Sequence, residues 1–498
     1  MGEEQSVDLG MIGLGVMGLN LSLNLEDHGY AVAGYDKDPS KLKGLGDHSE
    51  TRRIDAVDSL EGLIKLLKKP RVVMMLVPAG PPVDAVIRDL LPHLQQGDII
   101  IDGGNSHFSD TNLREKALSE KGLHFLGVGI SGGEEGARQG PSIMPGGPRQ
   151  AYDRVRPMLE AAAAKVDDEP CVTYLGPGSA GHYVKMMHNG IEYALMQLIA
   201  EGYDLMKRGL GLNDDELHDV YAGWNEGDLG GYLVEVTSNI FCRSDEGTGQ
   251  RLIDVIRDVA NQKGTGMWAS QDAMELHQAI PIIDAAVEMR DLSMMLPQRQ
   301  LASQVLKGPR GRLECDRLEF LNKLGAALYA GFLISYANGM DQLRVASEAY
   351  DYGLDLEHVA RIWRGGCIIR AKLLGKVRQA YAEQPDLLSL LLSPVISAEL
   401  NERQDDLREV ALVAGRSGLP APGFMTALAY YDTLRSNWLP DNLIAAQRDY
   451  FGAHTYERTD KKGHFHTAWE EGEPLVGAGA LAGREARANN EGPGQKAD

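Results

Sequence analysis

Apolar and polar positions follow two different patterns along this chain of 498 residues. Over about the first 180 residues, short apolar runs alternate with segments of helical periodicity. The apolar runs are predicted as strands and cover residues 7–12, 31–35, 71–77, 98–102 and 123–128. Strands that alternate with helices in this way favour a parallel, doubly wound sheet, so residues 1–180 are predicted to form an α/β domain.

The pattern becomes helical after the glycine-rich segment Gly176–Gly181, which we interpret as the hinge between two domains. Residues 181–439 are predicted to form a large all-α domain. Within it, the stretch from residue 198 to 224 is similar to the stretch from residue 333 to 363. This similarity indicates a duplicated helical unit.

Residues 440–498 are predicted to form a C-terminal tail. Its first part carries aromatic residues and two cations, Arg448 and His454. From about residue 471 the tail is rich in Gly, Ala, Asn and Glu, a composition that cannot bury an apolar core, so disorder is predicted there.

The turn between the first predicted strand and the following helix has the sequence GLGVMG over Gly13–Gly18. Gly13 permits a tight turn, Gly15 lets the backbone approach a pyrophosphate, and Gly18 allows the helix to pack closely on the strand. Asp36 ends the second strand, where an acid can bind a ribose. These features predict a Rossmann-like dinucleotide-binding domain, and a glycine-rich turn without a ligand is the alternative.

Five polar residues share one face of the helix that follows residue 181. They are spaced i, i+3, i+4, i+7 and i+8 and are Lys185, His188, Asn189, Glu192 and Tyr193. Together they offer proton-transfer groups and ligands for a polyhydroxylated substrate. A solvated face of an amphipathic helix is the alternative. The small and apolar residues from 194 to 200 favour a buried helix and therefore a site.

Two turns with paired glycines follow later strands. The first runs from Asp102 to Asn105, and the second is Ser131-Gly132-Gly133. Because ligands of an open α/β sheet bind at the carboxyl ends of its strands, both turns are predicted to line one site with the dinucleotide turn. Each turn taken alone could also be purely structural.

The cations that an anionic ligand would require are scattered along the chain. The turn from residue 262 to 268 carries Lys263 and Thr265 beside glycines, a composition typical of phosphate binding. Arg290, Arg448 and His454 are further candidates. Spacing alone does not bring them together, and each could be a surface charge.

Charge and cysteine content exclude several classes of function. The net charge of −21 argues against a nucleic acid or an anionic membrane as partner. No apolar run reaches membrane-spanning length, and the N-terminus lacks a signal-peptide pattern. The four cysteines lie far apart, so neither a disulfide framework nor a zinc site is expected, and the cytoplasm is the predicted location.

Five segments of the chain match one family. They lie at residues 99–106, 131–138, 182–193, 263–268 and 447–457. Through them the chain resembles the long-form, decarboxylating 6-phosphogluconate dehydrogenases from about residue 7 to about residue 470. The fold expected from this resemblance is the one predicted above: a Rossmann-like sheet, a large all-α domain and a tail.

The resemblance implies oxidative decarboxylation of 6-phospho-D-gluconate to ribulose 5-phosphate and CO2, in the oxidative pentose phosphate pathway. By position, Lys185 matches the general base that takes the proton of the C3 hydroxyl as hydride leaves C3. Glu192 matches the general acid that protonates C1 of the enediol. No metal is expected, because a β-keto acid loses CO2 without one and the sequence shows no ligand cluster.

The resemblance also implies which residues bind the ligands. The sugar-acid end matches Asn105, Ser131, Gly132, Gly133, His188 and Asn189, and the phosphate end matches Tyr193, Lys263, Thr265, Arg290, Arg448 and His454. Met17 and the loop Val77–Ala79 match cofactor contacts. Together with the glycine turn and the end of the second strand, they give a predicted cofactor site of Gly13, Gly15, Val16, Met17, Gly18, Asp36, Lys37, Val77, Pro78, Ala79 and Asn105. The family forms a homodimer whose tail enters the partner subunit, so Arg448 and His454 are expected to act in trans.

The cofactor segment departs from the family pattern at two places. NADP-dependent members usually carry an Asn-Arg-Thr-like triplet where this chain has Asp36-Lys37-Asp38, and they often carry Lys at the position of Pro78. An acid at the end of the second strand binds the ribose hydroxyls of NAD, so NAD+ is predicted to be preferred over NADP+.

Two other functions fit parts of the sequence. One is a different β-hydroxyacid dehydrogenase that acts on an unphosphorylated acid, although such chains lack the Arg448 and His454 tail. The other is a catalytically inactive dinucleotide-binding or scaffold protein, which would be expected to have lost Lys185 or Glu192.

Overall fold

The computed structural model describes residues 7–46, 53–309, 311–469 and 476–477. The chain divides into two compact units, Met1–Leu428 and Ala429–Asp498. The first unit contains the predicted α/β region and nearly all of the predicted helical region. The second contains the tail, whose predicted disordered end lies outside the described residues except for Val476–Gly477.

The strands form three sheets. They are β1 (Leu9–Ile12), β2 (Val32–Tyr35), β3 (Ile54–Ala56), β4 (Val72–Met75), β5 (Ile99–Asp102), β6 (His124–Ser131), β7 (Ser142–Gly146), β8 (Lys165–Val166), β9 (Glu169–Pro170), β10 (Tyr456–Glu457), β11 (His464–His466) and β12 (Val476–Gly477).

The α-helices dominate the rest of the chain. They are α1 (Val16–Asp27), α2 (Pro39–Gly46), α3 (Leu60–Leu66), α4 (Pro81–Leu90), α5 (Phe108–Ser119), α6 (Gly133–Gln139), α7 (Arg149–Ala162), α8 (Ala180–Asp204), α9 (Asp214–Glu226), α10 (Tyr232–Cys242), α11 (Leu252–Val255), α12 (Thr265–Glu275), α13 (Pro281–Met294), α14 (Leu296–Val305), α15 (Arg317–Ala349), α16 (Leu356–Ile362), α17 (Leu373–Glu383), α18 (Pro394–Ser417), α19 (Pro422–Leu434) and α20 (Asp441–Gly452). A π-helical segment, Leu205–Leu210, extends α8, and two short 3-10 helices span Leu91–His93 and Leu390–Leu392.

The main sheet has the strand order β3-β2-β1-β4-β5-β6-β7. Strands β1 to β6 run parallel, and β7 runs antiparallel to β6 with Ser142 opposite Ser131. Every residue of β1, β4 and β5 is buried, as a parallel sheet covered by helices on both faces requires. This arrangement confirms the Rossmann-like fold class that the alternating pattern predicted.

All five strands predicted from the sequence are present in the main sheet, but two strands of that sheet, β3 and β7, were missed. β3 has only three residues, two of them exposed, so it lacks an apolar run. β7 contains Pro145 and ends at Gly146, two residue types that are uncommon inside strands. The edge position of both strands explains why a weak pattern is sufficient there.

The long helices α8 and α15 pack closely in the helical region. A Cβ atom added to Gly339 would lie 2.4 Å from Ile191, and one added to Gly331 would lie 2.9 Å from Leu198. Because the distance between two helix axes depends on the side chains at their contact, these glycines let α15 approach the back of α8. The contact fixes the orientation of α8 about its own axis.

The first turn of α8 rests directly on the sheet. A Cβ atom at Gly181 would lie 2.3 Å from the carbonyl oxygens of Gly127 and Met144, and 2.6 Å from the amide nitrogen of Gly146. Gly129 lies two residues after Gly127 on β6 and packs in the same close way against the side chain of Lys185. The carboxyl half of β6 and the first turns of α8 therefore form one packed unit.

The tail unit contains α20 followed by a small antiparallel sheet. In this sheet β11 pairs with β10 on one side and with β12 on the other. Among the described residues, no helix is long and apolar enough to cross a membrane. All four cysteines are free thiols, Cys171 and Cys367 buried and Cys242 and Cys315 exposed.

The contact at Gly181 leads to a stability prediction. Gly181→Ala should lower the free energy of unfolding by about 3 kcal/mol or more, because the added methyl group meets backbone atoms that cannot move aside. Chemical denaturation followed by circular dichroism measures the change. Gly223→Ala in α9 is the matched control, since a Cβ atom there meets nothing within 4 Å, and it should stabilise by about 0.5–1 kcal/mol. Equal effects of the two variants would contradict the proposed packing.

Candidate active site

The glycine turn between β1 and α1 has the geometry that a dinucleotide requires. Gly13 has φ +91°, and a Cβ atom there would lie 2.5 Å from the carbonyl oxygen of Leu76. A Cβ atom at Gly18 would lie 1.9 Å from the carbonyl oxygen of Gly13, whereas Gly15 faces open space. No side chain caps the start of α1, so its first N–H groups are available to an anion. The residues present therefore fit a dinucleotide cofactor.

A cavity of about 400 Å³ opens beside this turn. Of the residues predicted to bind a cofactor, it is lined by Gly13, Gly15, Asp36, Lys37, Val77 and Pro78. Gly18 lies behind the turn, Val16 and Met17 begin α1, and Ala79 precedes α4. Lys41 and Asp89 line the same cavity and were not predicted, because their spacing along the chain gives no indication of a site.

The carboxylate of Asp36 is bound by the backbone. Its two oxygens accept hydrogen bonds from the N–H groups of Leu14, at 2.7 Å, and Asp38, at 2.9 Å. Two lysines flank it: the Lys41 Nζ lies 3.9 Å from Asp36, and the Lys37 Nζ lies 3.5 Å from Asp89. Asp36 is thus held in place at the carboxyl end of β2, in a region where acids and lysines alternate.

The Asp38 carboxylate turns toward the start of α2. It accepts hydrogen bonds from the hydroxyl and the N–H group of Ser40, at 2.7 and 3.0 Å, and these bonds lower its pKa. Asp38 therefore caps the beginning of α2, whereas Asp36 lines the cavity.

The polar stripe on α8 is buried in the protein. Lys185, His188, Asn189 and Tyr193 are buried, and Glu192 is largely covered. The structure therefore contradicts the alternative of a solvated helix face. The Lys185 Nζ lies 3.5 Å from His188 Nδ1, and a Glu192 carboxylate oxygen lies 3.8 Å from the same nitrogen. The same imidazole nitrogen is thus close to both the amine and the carboxylate.

Burial shifts the pKa values of these three groups toward their neutral forms. It lowers the pKa of Lys185, although the charge of Glu192 opposes the shift. It raises the pKa of Glu192, against the opposing effects of Lys185 and Arg290. Burial and then the charge of Lys185 bring the pKa of His188 well below its usual value. An amine that can lose its proton and an acid that can keep one are the groups that general base and acid catalysis need.

The two paired-glycine turns lie at the same sheet edge. The Ser131 Oγ is 3.1 Å from His188 Nε2, so the turn after β6 contacts the stripe directly. Gly132 and Gly133 have φ values of +139° and +62°, which only glycine adopts easily, and they lead into α6. In the turn after β5, Asp102 accepts hydrogen bonds from the Gly104 N–H and the Ser106 hydroxyl, and Asn105 is left exposed.

The predicted phosphate-binding residues of the first unit also come together in part. The Arg290 guanidinium stacks on the Tyr193 ring, 3.7 Å from its centre. A Cβ atom at Gly266 would lie 2.6 Å from the same ring, so the start of α12 packs against it with Thr265 buried and Lys263 exposed. Arg448 and His454 lie in the other unit, on α20 and just after it, and both are exposed.

A buried aspartate that the sequence did not reveal ties α12 to α8. Asp272 accepts hydrogen bonds from the hydroxyls of Tyr183 and Tyr350 and from the Gln342 side chain, 3.3 Å away. Trp363, also missed, lies edge-on to His188 with the ring centres 5.8 Å apart. Because these partners lie 70 or more residues apart along the chain, no local pattern could have indicated them.

Among the described residues, one group of possible metal ligands lies close enough together to share an ion: Asp355, Glu357 and His358. It is at the start of α16, and two of the three residues are exposed. None of the residues predicted for the active site belongs to it.

A cofactor cradle and covered acid–base groups at the same carboxyl edge of a doubly wound sheet are the arrangement of an NAD(P)-dependent oxidoreductase. Comparison with known sequences gives the family. The profile described as the NAD binding domain of 6-phosphogluconate dehydrogenase matches residues 8–176, and that of the 6-phosphogluconate dehydrogenase C-terminal domain matches residues 181–469. The chain belongs to the 6-phosphogluconate dehydrogenase family, as its motifs indicated.

Individual relatives match over nearly their whole length. The NADP(+)-dependent, decarboxylating 6-phosphogluconate dehydrogenase of Bacillus subtilis is 50% identical over 93% of this chain and 98% of its own. The decarboxylating enzyme of Escherichia coli K12 is 48% identical with the same coverage. The solved Plasmodium falciparum 6-phosphogluconate dehydrogenase, described in its apo form and with NADP+ or 6-phosphogluconate, is 43% identical, with a TM-score of 0.90 over 93% of this chain and 100% of that one.

Proposed function

We propose that this protein oxidises and decarboxylates 6-phospho-D-gluconate to D-ribulose 5-phosphate and CO2 with reduction of NAD(P)+, as a cytoplasmic enzyme of the oxidative pentose phosphate pathway. The observation that carries the proposal is the pair of buried Lys185 and largely covered Glu192, with shifted pKa values, at the same carboxyl edge of the main sheet as the cofactor cradle. The names of the relatives and the free state of all four cysteines support the reaction and the compartment.

Lys185 is the general base of the proposed mechanism. A cofactor held by the turn Gly13–Gly18 would supply the hydride acceptor for C3 of the substrate. Neutral Lys185 takes the proton of the C3 hydroxyl at its Nζ, and the lowered pKa of this amine makes the neutral form accessible. The resulting β-keto acid loses CO2, and Lys185, now protonated, stabilises the negative charge that develops on the C3 oxygen.

Glu192 is the general acid of the last step. After CO2 leaves, C1 of the enediol needs a proton to give the ketose. The raised pKa of Glu192 keeps its carboxyl group protonated to higher pH than in an exposed glutamate. A β-keto acid decarboxylates without a Lewis acid, so we propose a metal-independent reaction.

The two ends of the substrate have separate binding groups in this proposal. The sugar-acid end contacts Asn105, Ser131, Gly132, Gly133, His188 and Asn189, and the phosphate end contacts Tyr193, Lys263, Thr265 and Arg290. The stacking of Arg290 on Tyr193 supports this phosphate end, because it joins a cation and a hydroxyl.

The proposed homodimer completes the phosphate end. Arg448 and His454 of the partner subunit would reach it through the exchanged tail. Support comes from the exposed apolar side chains of the tail unit, among them Trp438, Leu443 and Phe451, which an interface would cover.

The cofactor preference rests on Asp36. We place NAD+ before NADP+, because a 2′-phosphate about 5 Å from this carboxylate would be repelled by about 3 kcal/mol per unit charge at an effective dielectric constant of ~20. Lys37 and Lys41 oppose this repulsion, and the Bacillus subtilis relative is named NADP(+)-dependent. The proposed preference for NAD+ therefore differs from the cofactor in that relative's name, and it depends on one residue, Asp36.

Removal of the proposed base tests the mechanism. Lys185→Met should lower kcat by about 10²–10⁴-fold while the substrate still binds, since the phosphate end is untouched. In the wild type, kcat/KM should rise with pH as Lys185 loses its proton, in a range below the ordinary lysine value of 10.5, and the variant should lack this rise. Stopped-flow absorbance of the reduced cofactor measures turnover and its pH dependence, and calorimetric titration measures substrate binding.

Lys116 is exposed, and Lys116→Met is a matched control that should leave turnover and substrate binding unchanged. Glu192→Gln should still oxidise the substrate but form ketose more slowly. A Lys185→Met variant that keeps more than a tenth of wild-type turnover would mean that another residue is the base.

Subunit complementation tests the exchanged tail. Lys185→Met and Arg448→Ala chains should each be inactive as homodimers, whereas their mixture should recover activity, because one site of each heterodimer then has both a lysine and a tail arginine. Affinity tags on each chain verify that subunits exchange. Verified heterodimers without activity would show that the tail acts in cis or has no role.

Cofactor kinetics test the role of Asp36. The kcat/KM should be tens- to hundreds-fold higher with NAD+ than with NADP+, since ~1.4 kcal/mol corresponds to a tenfold ratio and solvent weakens the repulsion. The triple variant Asp36→Asn, Lys37→Arg, Asp38→Thr should level or reverse this ratio. Asp55→Asn, which removes an exposed acid on the neighbouring β3, should not. A wild-type enzyme at least tenfold better with NADP+ would refute the preference.

A further inference from the structure

One carboxylate organises the tail unit. Asp449, on α20, is fully buried and accepts four hydrogen bonds from residues that follow it in the chain. The donors are the N–H groups of Thr455 (3.0 Å) and Thr467 (2.9 Å), His466 Nδ1 (2.9 Å) and Trp469 Nε1 (2.9 Å). A carboxylate that accepts this many hydrogen bonds holds the surrounding chain in one conformation.

The ionised form of Asp449 is the one that these donors favour. Burial acts to raise the pKa of its carboxyl group, but the bonds from Thr467, His466, Trp469 and Thr455 outweigh burial and lower it. Each of the four hydrogen bonds is therefore assisted by charge, and such bonds are stronger than neutral ones.

The loop that carries His454 has a backbone that needs external support. The residues on both sides of His454 have positive φ values, +49° for Ala453 and +65° for Thr455. This conformation is unfavourable for residues with a Cβ atom, and most of all for a β-branched one such as threonine. The N–H group that binds Asp449 belongs to Thr455 itself, so the hydrogen bond acts at the strained position.

The His454 ring is confined as well. A Cβ atom at Gly452 would lie 2.7 Å from the ring, which leaves the histidine folded over the end of α20. The ring of Phe451 lies edge-on to it with the centres 6.2 Å apart. The imidazole thus has a defined place relative to α20, the helix that also carries Arg448.

We propose that Asp449 is a positioning residue: by holding the Ala453–Thr455 loop, it presents His454 in a fixed place relative to Arg448, so that the tail binds the phosphate end of the substrate as a preformed element. This inference rests on the proposed function for the role of His454. A tail that folds only on contact with its partner would need no such internal carboxylate, and it would bind with an additional entropic cost.

Substitution of Asp449 in the full-length enzyme tests the inference. Asp449→Asn keeps the shape of the side chain but has one acceptor oxygen and no charge, so at most part of the network survives. Hydrogen exchange followed by mass spectrometry should be faster in the peptides that contain Thr455 and Thr467. The KM for 6-phosphogluconate should rise about 10- to 100-fold, whereas kcat should change less than about threefold, because Lys185 and Glu192 are untouched.

A double-mutant cycle separates positioning from general support of the fold. If Asp449 acts through His454, Asp449→Asn combined with His454→Ala should raise KM no more than His454→Ala alone. Trp469→Phe removes one donor and leaves three, so it should give a smaller rise in KM with the fold intact. Asp460→Asn is the matched control, since Asp460 is an exposed acid in the same unit that pairs with Arg458, and it should have no effect.

Two results would overturn the positioning role. One is an unchanged KM in Asp449→Asn when His454→Ala raises it, and the other is full additivity of the two substitutions. An unchanged KM in His454→Ala itself would instead refute the role of the tail in the proposed function. The two failures are therefore distinguishable.

Discussion

The site depends on one packing contact, the seat of α8 on the sheet. Backbone oxygens of β6 and β7 lie so close to Gly181 that a side chain at this position would collide with them. The methylene groups of Lys185 fill the space that a side chain at Gly129 would occupy. Glycines of α15 bring a second long helix against the back of α8. With these contacts on two sides, α8 holds its polar stripe at the carboxyl edge of the sheet, the edge that also carries the turn Gly13–Gly18. The polar stripe is thus placed by close packing at glycines rather than by ion pairs.

Burial gives the stripe its acid–base properties. An amine, an imidazole and a carboxylate on consecutive turns of an exposed helix would all have ordinary pKa values. In this protein the desolvation of the three groups is the largest influence on each, and it moves all of them toward the neutral form. The strongly acidic surface of the chain therefore has little bearing on the site, which has its own local balance of charge.

Local features of this protein were predictable from its sequence, and distant pairings were not. The stripe from Lys185 to Tyr193 and the turn Gly13–Gly18 follow from helix geometry and glycine conformation within a few residues, and both are present as predicted. β7, the Asp272 cluster and the packing of Trp363 on His188 depend on partners far away in the chain. Asp36 falls between these cases: its place at the end of β2 was predictable, whereas its bond to Leu14 and the nearby lysines were not.

The close packing of α8 also limits how this enzyme can diversify. Because Gly181, Gly129, Gly331 and Gly339 leave no space for a larger residue, neither the tilt nor the rotation of the helix can drift as sequences change. Selection for a new ligand must therefore act on surfaces that tolerate substitution, such as the exposed ends of the Lys263 turn and of the Asp36–Asp38 segment. An engineer who wished to alter ligand preference would begin at those loops and leave α8 unchanged.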